Sequence, residues 1–241
     1  MPSSFRSGNP ALGSETFNVS SGASSAMTLE GSVNKTGIGL FLLMISAYFT
    51  WNNTMPGLMI FGAIGGFIVA IVTIFKKNWA PITVPIYAIL EGLFLGGISQ
   101  IFEKQFPGIV TQAIILTLGI LGALLIAYKT KLIKPTENFK LGVSAATGGI
   151  FLVYLINFIM GFFGSSIPMI HESGLMGIGF SIFVVIIAAL NLVLDFDFIE
   201  QGVELGAPKY MEWYGAFGLM VTLIWLYLEI LRLLAKLQSN R

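Results

Sequence analysis

The sequence contains no cysteine and a single histidine, His171. The absence of cysteine excludes disulfide bonds, thiolate metal sites and cysteine nucleophiles. His171 lies in a short polar break between apolar segments, so catalysis by a histidine base, haem ligation and zinc clusters inside those segments are also disfavoured. From the sequence alone we therefore expect neither an enzyme nor a bound cofactor.

Charged residues are scarce as well. They make up 10% of the 241 residues, against about 25% in typical soluble domains. Hydrophobic residues make up 55%, and the mean hydropathy is +0.84. The few basic residues are scattered over short loops and build no face for nucleic acid. The composition predicts a polytopic membrane protein whose main partner is the lipid bilayer.

Seven apolar segments alternate with short polar breaks, and each is close to the roughly 20 residues that cross about 30 Å of hydrocarbon. The segments are Thr36 to Trp51, Pro56 to Phe75, Pro81 to Phe102, Ile109 to Tyr128, Leu141 to Phe163, Gly174 to Ile199 and Tyr214 to Lys236. The sequence thus predicts an all-α membrane protein, a bundle of seven transmembrane helices.

The residues before the first apolar segment are rich in Ser, Gly and Asn and contain no sustained apolar run. Such a composition cannot bury enough surface to offset the entropy of ordering. We predict a disordered N-terminal arm over residues 1–35 and a transmembrane domain over residues 36–241. The Gly31 to Lys35 stretch is expected to extend the short first segment backwards.

Basic residues predict the orientation, because cytoplasmic loops collect Lys and Arg. With the N-terminus inside, the outer loops hold only Lys104, and the C-terminal tail adds Arg232, Lys236 and Arg241 outside. The inner side holds Arg6, Lys35, Lys76, Lys77, Lys129, Lys131, Lys134, Lys140 and Lys209. We therefore predict a multi-pass protein with a cytoplasmic N-terminus.

Acidic residues inside apolar segments are the strongest functional signal, since an ionised carboxylate in hydrocarbon is costly unless it is paired, hydrated or protonated. The candidates are Glu91 in the third segment, Asp195 and Asp197 in the sixth, and Glu229 in the seventh. Asn191 shares a helix face with Asp195, and Arg232 follows Glu229 at ion-pair spacing. Asp197 should point elsewhere, to a solvated position. The pattern predicts a polar seam through the bundle.

Asp195 and Glu229 could form a coupled pair within this seam. We predict the stretch Gln201 to Gly215 as a loop and turn, so that the helices reverse near residue 212 and leave both acids at similar depth. Carboxylates within about 4 to 6 Å share a proton, which makes a pH sensor, and can bind calcium weakly and transiently. Wider separation, with each acid satisfied locally, would favour a structural role.

Three motifs of the sequence resemble a known family. They are Asp195-Phe-Asp-Phe-Ile at the end of the sixth segment, Leu226-Tyr-Leu-Glu229 in the seventh, and Tyr87 to Ser99 in the third, with Glu91-Gly-Leu-Phe-Leu-Gly-Gly-Ile-Ser. Over roughly residues 36 to 236 the chain resembles the Bax inhibitor-1 (transmembrane BAX inhibitor motif) family, in its bacterial branch related to YccA.

The resemblance implies a seven-helix bundle with the last helix near the centre. Members are proposed to be pH-sensitive calcium leak channels gated by two aspartates, which fall on Asp195 and, with a departure to glutamate, on Glu229. Some bacterial relatives are linked instead to modulation of a membrane protease.

We therefore expect a pH-gated, calcium-permeable leak in a bacterial inner membrane. Asp195 and Glu229 would form the gate, and Glu91, Asn191, Asp197 and Arg232 would line or support the path. Calcium would be the permeant ion rather than a cofactor. The alternative is a non-conducting interaction protein that presents its N-terminal arm to a membrane protease or another membrane protein.

Overall fold

A computed structural model describes residues 26–52, 55–165 and 167–240. Within these ranges the chain is almost entirely helical, and seven helices are long and apolar enough to cross a membrane. Besides the helices, these ranges contain an isolated antiparallel β-bridge between Ala26 and Pro208. The prediction of an all-α, seven-helix membrane protein is confirmed.

The seven long helices follow one another through short connections. They are α1 Leu29–Asn52, α2 Pro56–Phe75, α3 Ala80–Gln105, α4 Ile109–Lys129, α5 Glu137–Phe162, α6 Leu175–Glu204 and α7 Met211–Ser239. Local chemistry explains several boundaries. Pro56 occupies the first turn of α2, where its missing donor is harmless, and Thr136 caps α5 by accepting the Phe139 N–H at 3.3 Å.

The boundary between arm and transmembrane domain differs from the prediction of residue 35. Helix α1 begins at Leu29, so residues 29–35 belong to the first span, in the direction expected for the Gly31 to Lys35 stretch. The polar composition concealed this start because Ser32 and Thr36 are buried and bond back to carbonyl groups one turn earlier. The predicted disorder of residues 1–25 lies outside the described residues.

The connection between α6 and α7 also differs from the predicted loop over Gln201 to Gly215. Helix α6 continues to Glu204 and α7 starts at Met211, which leaves six residues between them. Gly206 takes a left-handed conformation with φ +63°. Its N–H donates to Val203 O and the Ala207 N–H donates to Gly202 O, a C-terminal cap in which glycine is favoured. The helices therefore reverse earlier than residue 212.

The chain divides into two compact units. One contains Phe106–Phe196 together with the described residues from Thr222 onward, and the other contains the described residues up to Gln105 together with Asp197–Val221. Helices α6 and α7 contribute to both. In the second unit α1 and α2 pack against α3. Glycine permits this approach: a Cβ at Gly62 would lie 2.5 Å from Leu90 O.

In the first unit, apolar side chains from α5, α6 and α7 form a common cluster. Ile150, Val184 and Ile187 are buried there, and Tyr154 and Trp225 pack against them. Helix α7 is the most buried of the seven spans. In its most apolar 18-residue stretch 67% of the residues are buried inside the protein, against 11% in the corresponding stretch of α5. This agrees with the expectation that the last helix lies near the centre.

Substitution of Gly96 tests the close approach of α1 to α3. An alanine methyl group there would collide with Ala47 O and Thr50 Oγ1, so we expect Gly96→Ala to cost about 1–3 kcal/mol of stability. Gly119→Ala is the matched control, since a Cβ there meets nothing within 4 Å. Thermal unfolding followed by size-exclusion chromatography in detergent should show a lower Tm for Gly96→Ala alone. Equal Tm values would contradict this packing.

Candidate functional site

The candidate site lies in the first unit, on the facing surfaces of α5, α6 and α7. On α6, Asp195 is 0% exposed and Asn191 is 1% exposed. Asn191 Nδ2 donates to Thr147 Oγ1 of α5 and to Ile187 O, each at 2.8 Å. Asn191 Oδ1 is buried without a hydrogen-bond partner in the part of the chain that the structure describes. A polar surface of α6 is thus enclosed in the interior.

The negative charge of Glu229 is balanced by contacts with its own helix and with α5. Arg232 Nη1 lies 2.9 Å from Glu229 Oε1 and 3.1 Å from Oε2, and Tyr154 OH of α5 donates to Oε1 at 2.9 Å. The Arg232 guanidinium also lies 5.3 Å from the centre of the Tyr154 ring. The ion pair expected from the spacing of Glu229 and Arg232 is present, and Tyr154 extends it to a second helix.

Lys236 continues this polar surface of α7, and sequence reasoning missed it. It is 5% exposed, and its Nζ donates to Gly177 O and Ser181 Oγ of α6, both at 2.9 Å. The sequence signal was available, because Glu229 and Lys236 are seven residues apart and so share a helix face. The charge pattern instead counts Lys236, the last residue of the seventh predicted segment, with the basic residues of the C-terminal tail.

The contacts between α6 and α7 in this unit set the depths of the two central acids. Ser181 meets Lys236 at 2.9 Å, and Ser173 meets Ser239 at 2.6 Å just before α6 begins. With a rise of 1.5 Å per residue, this register places Asp195 about 10–18 Å nearer the α6–α7 turn than Glu229. The predicted similar depth is wrong for this conformation because the helices reverse at residues 205–210. In this conformation the two carboxyl groups are too far apart to share a proton.

Glu91 and Asp197, the other predicted acids, belong to the second unit. Glu91 is half-buried in α3 and lies against α2, where a Cβ at Gly66 would be 2.7 Å from Glu91 Oε1. Asp197 accepts a hydrogen bond from Gln201 one turn later and is partly exposed. This agrees with its expected orientation away from the buried face of Asp195.

A second buried carboxylate in that unit, Glu212, was not predicted. It is 0% exposed and accepts hydrogen bonds from Thr28 N at 2.8 Å and Thr28 Oγ1 at 2.9 Å. Lys35 and Lys209 complete its contacts, the latter at 2.8 Å. The only sequence signal was Lys209 three residues earlier, since Thr28 and Lys35 are remote in the chain.

A metal centre is not evident in the described ranges 26–52, 55–165 and 167–240. No group of three or more Asp, Glu or His side chains there could hold an ion. Asp195 and Glu229, predicted to bind calcium weakly and transiently, lie at different depths in α6 and α7, and Arg232 already contacts both oxygens of Glu229. In this conformation the two acids are therefore too far apart to bind one calcium ion.

The family model for Bax inhibitor 1 like proteins matches residues 9–239. The chain belongs to this family. A comparison with curated proteins found no significant match. Membership agrees with the seven apolar helices, and together they identify a multi-pass membrane protein of the Bax inhibitor type.

Disulfide formation tests the depths of Asp195 and Glu229, because the natural chain has no cysteine. Two cysteines cannot be bridged when their Cα atoms are more than about 7 Å apart. We expect the Asp195→Cys, Glu229→Cys double variant to remain reduced after treatment with a membrane-permeable oxidant. The Ser173→Cys, Ser239→Cys variant is the positive control, since these side chains touch. Comparable cross-linking of both pairs on gels would show that the two acids can meet.

Proposed function

We propose that this Bax inhibitor 1 like protein is a pH-sensitive, calcium-permeable leak in a bacterial inner membrane, with its N-terminus in the cytoplasm. Calcium is the permeant ion, and no catalysis or cofactor is invoked. The observation that carries the proposal is Asp195, a fully buried carboxylate in a membrane helix, one turn from the buried Asn191. Intramembrane acids in such positions characteristically serve ion or proton pathways.

Polar side chains at successive depths support a pathway along α6 and α7. From the α6–α7 turn outward they are Asp195, Asn191 with Thr147, Glu229 with Tyr154, and Ser181 with Lys236. Because Asp195 and Glu229 lie at different depths, their positions favour pH sensing at two separate places rather than by one carboxylate pair. We call the depth of Asp195, near the α6–α7 turn, the inner level and the depth of Glu229 the outer level. Protonation of Asp195 changes the charge at the inner level, while Glu229 is held by Arg232 at the outer level. The six-residue connection between α6 and α7 keeps the two levels apart, so each level would contribute to gating separately.

The second candidate is a non-conducting interaction protein that modulates a membrane protease or another membrane protein. The separation of Asp195 and Glu229 by about two to three turns favours it, since wide separation is what a structural role of these acids predicts. The pairing of Glu229 also favours it, because Arg232 on the same helix and Tyr154 on α5 already satisfy this carboxylate. A satisfied ion pair can serve helix packing alone. The two candidates differ in whether the protein conducts.

Calcium entry into liposomes holding the purified protein distinguishes the two candidates, measured between about pH 5 and about pH 8, the range in which folded proteins are generally most stable. We expect wild-type flux to depend on pH and Asp195→Asn to make it independent of pH, because Asn cannot change charge. Glu229→Gln should have the smaller effect, since Arg232 compensates this charge in the wild type. Glu204→Gln, an exposed acid at the end of α6, is the control.

Flux equal to that of empty liposomes at every pH would overturn the leak and leave the interaction protein. Flux that keeps its pH dependence in Asp195→Asn would preserve a leak but remove Asp195 from its regulation. Loss of pH dependence only in Glu229→Gln would move the sensor to the outer level.

A further inference from the structure

The first described residues of the chain, Ala26 to Thr28, run along the α6–α7 turn; we name them the strap. Ala26 forms the antiparallel bridge with Pro208, and the Met27 N–H donates to Ala207 O at 2.7 Å. The Met27 side chain is 2% exposed. The strap is therefore docked in a defined position, although its direct backbone attachment is short.

The contacts that hold the strap converge on Glu212, in the first turn of α7. Thr28 donates to it with both its N–H and its hydroxyl group, and Lys35 of α1 and Lys209 of the turn supply positive charge. A buried carboxylate that loses a partner is left with an uncompensated desolvation cost. The remaining contacts should therefore rearrange together when one is lost, as in a two-state element.

Gly31 provides the space in which this carboxylate lies. A methyl group at position 31 would overlap the Glu212 carboxyl group, so any other residue would displace it. The Thr28 hydroxyl also accepts the Gly31 N–H at 3.0 Å, which satisfies one free donor at the start of α1. One carboxylate thus organises the strap, the start of α1 and the start of α7.

We propose that the strap is a releasable clasp on α7. In the closed state Glu212 holds Thr28 and both lysines, and the first turn of α7 is fixed. In the open state the Thr28 contacts are lost and this turn becomes mobile.

Water can compete for the contacts that hold the strap in the closed state. Thr28 is exposed as a residue, and the Lys209 side chain is 45% exposed, so both can exchange their contacts with Glu212 for water. Apart from the Thr28 bonds to Glu212, the strap is held by the bridge at Ala26, which includes the Met27 N–H bond to Ala207 O, and by the buried Met27 side chain. Such a limited attachment is characteristic of segments that open locally while the rest of the fold persists.

Labelling of a single cysteine tests opening of the clasp in the full-length protein in lipid nanodiscs. In the Met27→Cys background, which carries no other cysteine, we expect a hydrophilic maleimide to react slowly. Adding Thr28→Val, Gly31→Ala or Glu212→Gln should raise the labelling rate about tenfold or more, because the open state becomes more populated. Glu204→Gln, with the same change of charge outside the clasp, should leave the rate unchanged.

Hydrogen exchange tests whether the strap controls α7. Thr28→Val removes the hydroxyl contact with Glu212 but no charged group, so it weakens the strap without creating an unpaired charge. We expect faster exchange over residues 211–216 and unchanged exchange over residues 229–236. Equal labelling rates in all variants would overturn the clasp, and faster labelling without faster exchange at 211–216 would overturn its control of α7. Both readouts measure exposure rather than flux, so the clasp stands or falls independently of the proposed leak.

Discussion

The polar interior of this protein depends on one constraint: every buried charged group needs a hydrogen-bond or ion-pair partner close to it. Hydrocarbon offers no water to an ionised group, so each such group must bond to a neighbouring helix or to its own. Glu229 binds Arg232 and Tyr154, Lys236 binds Gly177 and Ser181, and Glu212 binds Thr28 and two lysines. These contacts fix the rotation and depth of the helices that carry them, which apolar packing alone specifies weakly.

The two buried acidic clusters have different consequences. Around Glu229 the compensation comes from within the helix and from one neighbour, and the result is a stable tie between α5 and α7. Around Glu212 it comes from three separate parts of the chain, including the strap, and the result depends on contacts that water can reach. The first suits a permanent structural element, and the second suits a switch. Asp195, on α6, is the acid to which the proposed leak assigns its response to pH.

Much of the fold was accessible from sequence because a bilayer imposes a simple length and polarity on each span. The predicted start and end of the second helix agree with the structure at Pro56 and Phe75, where proline and lysine mark the boundaries. The predicted helix boundaries failed where polar residues were buried, as at Ser32 and Thr36 of α1. They also failed at the end of α6, which continues to Glu204 and is followed by a short turn at Gly206. Two buried polar clusters also escaped notice: Lys236 resembled a tail residue, and the partners of Glu212 are distant in sequence.

The sequence by itself determined the membrane setting, the number of spans, the family resemblance and the acids worth attention, because hydropathy and helical spacing are local properties. Only the tertiary structure decided which of those acids meet. Six residues between α6 and α7 rather than a long loop shift the register of the two helices and separate Asp195 from Glu229 by about two to three turns. Register depends on how the two helices pack, and no local pattern encodes it.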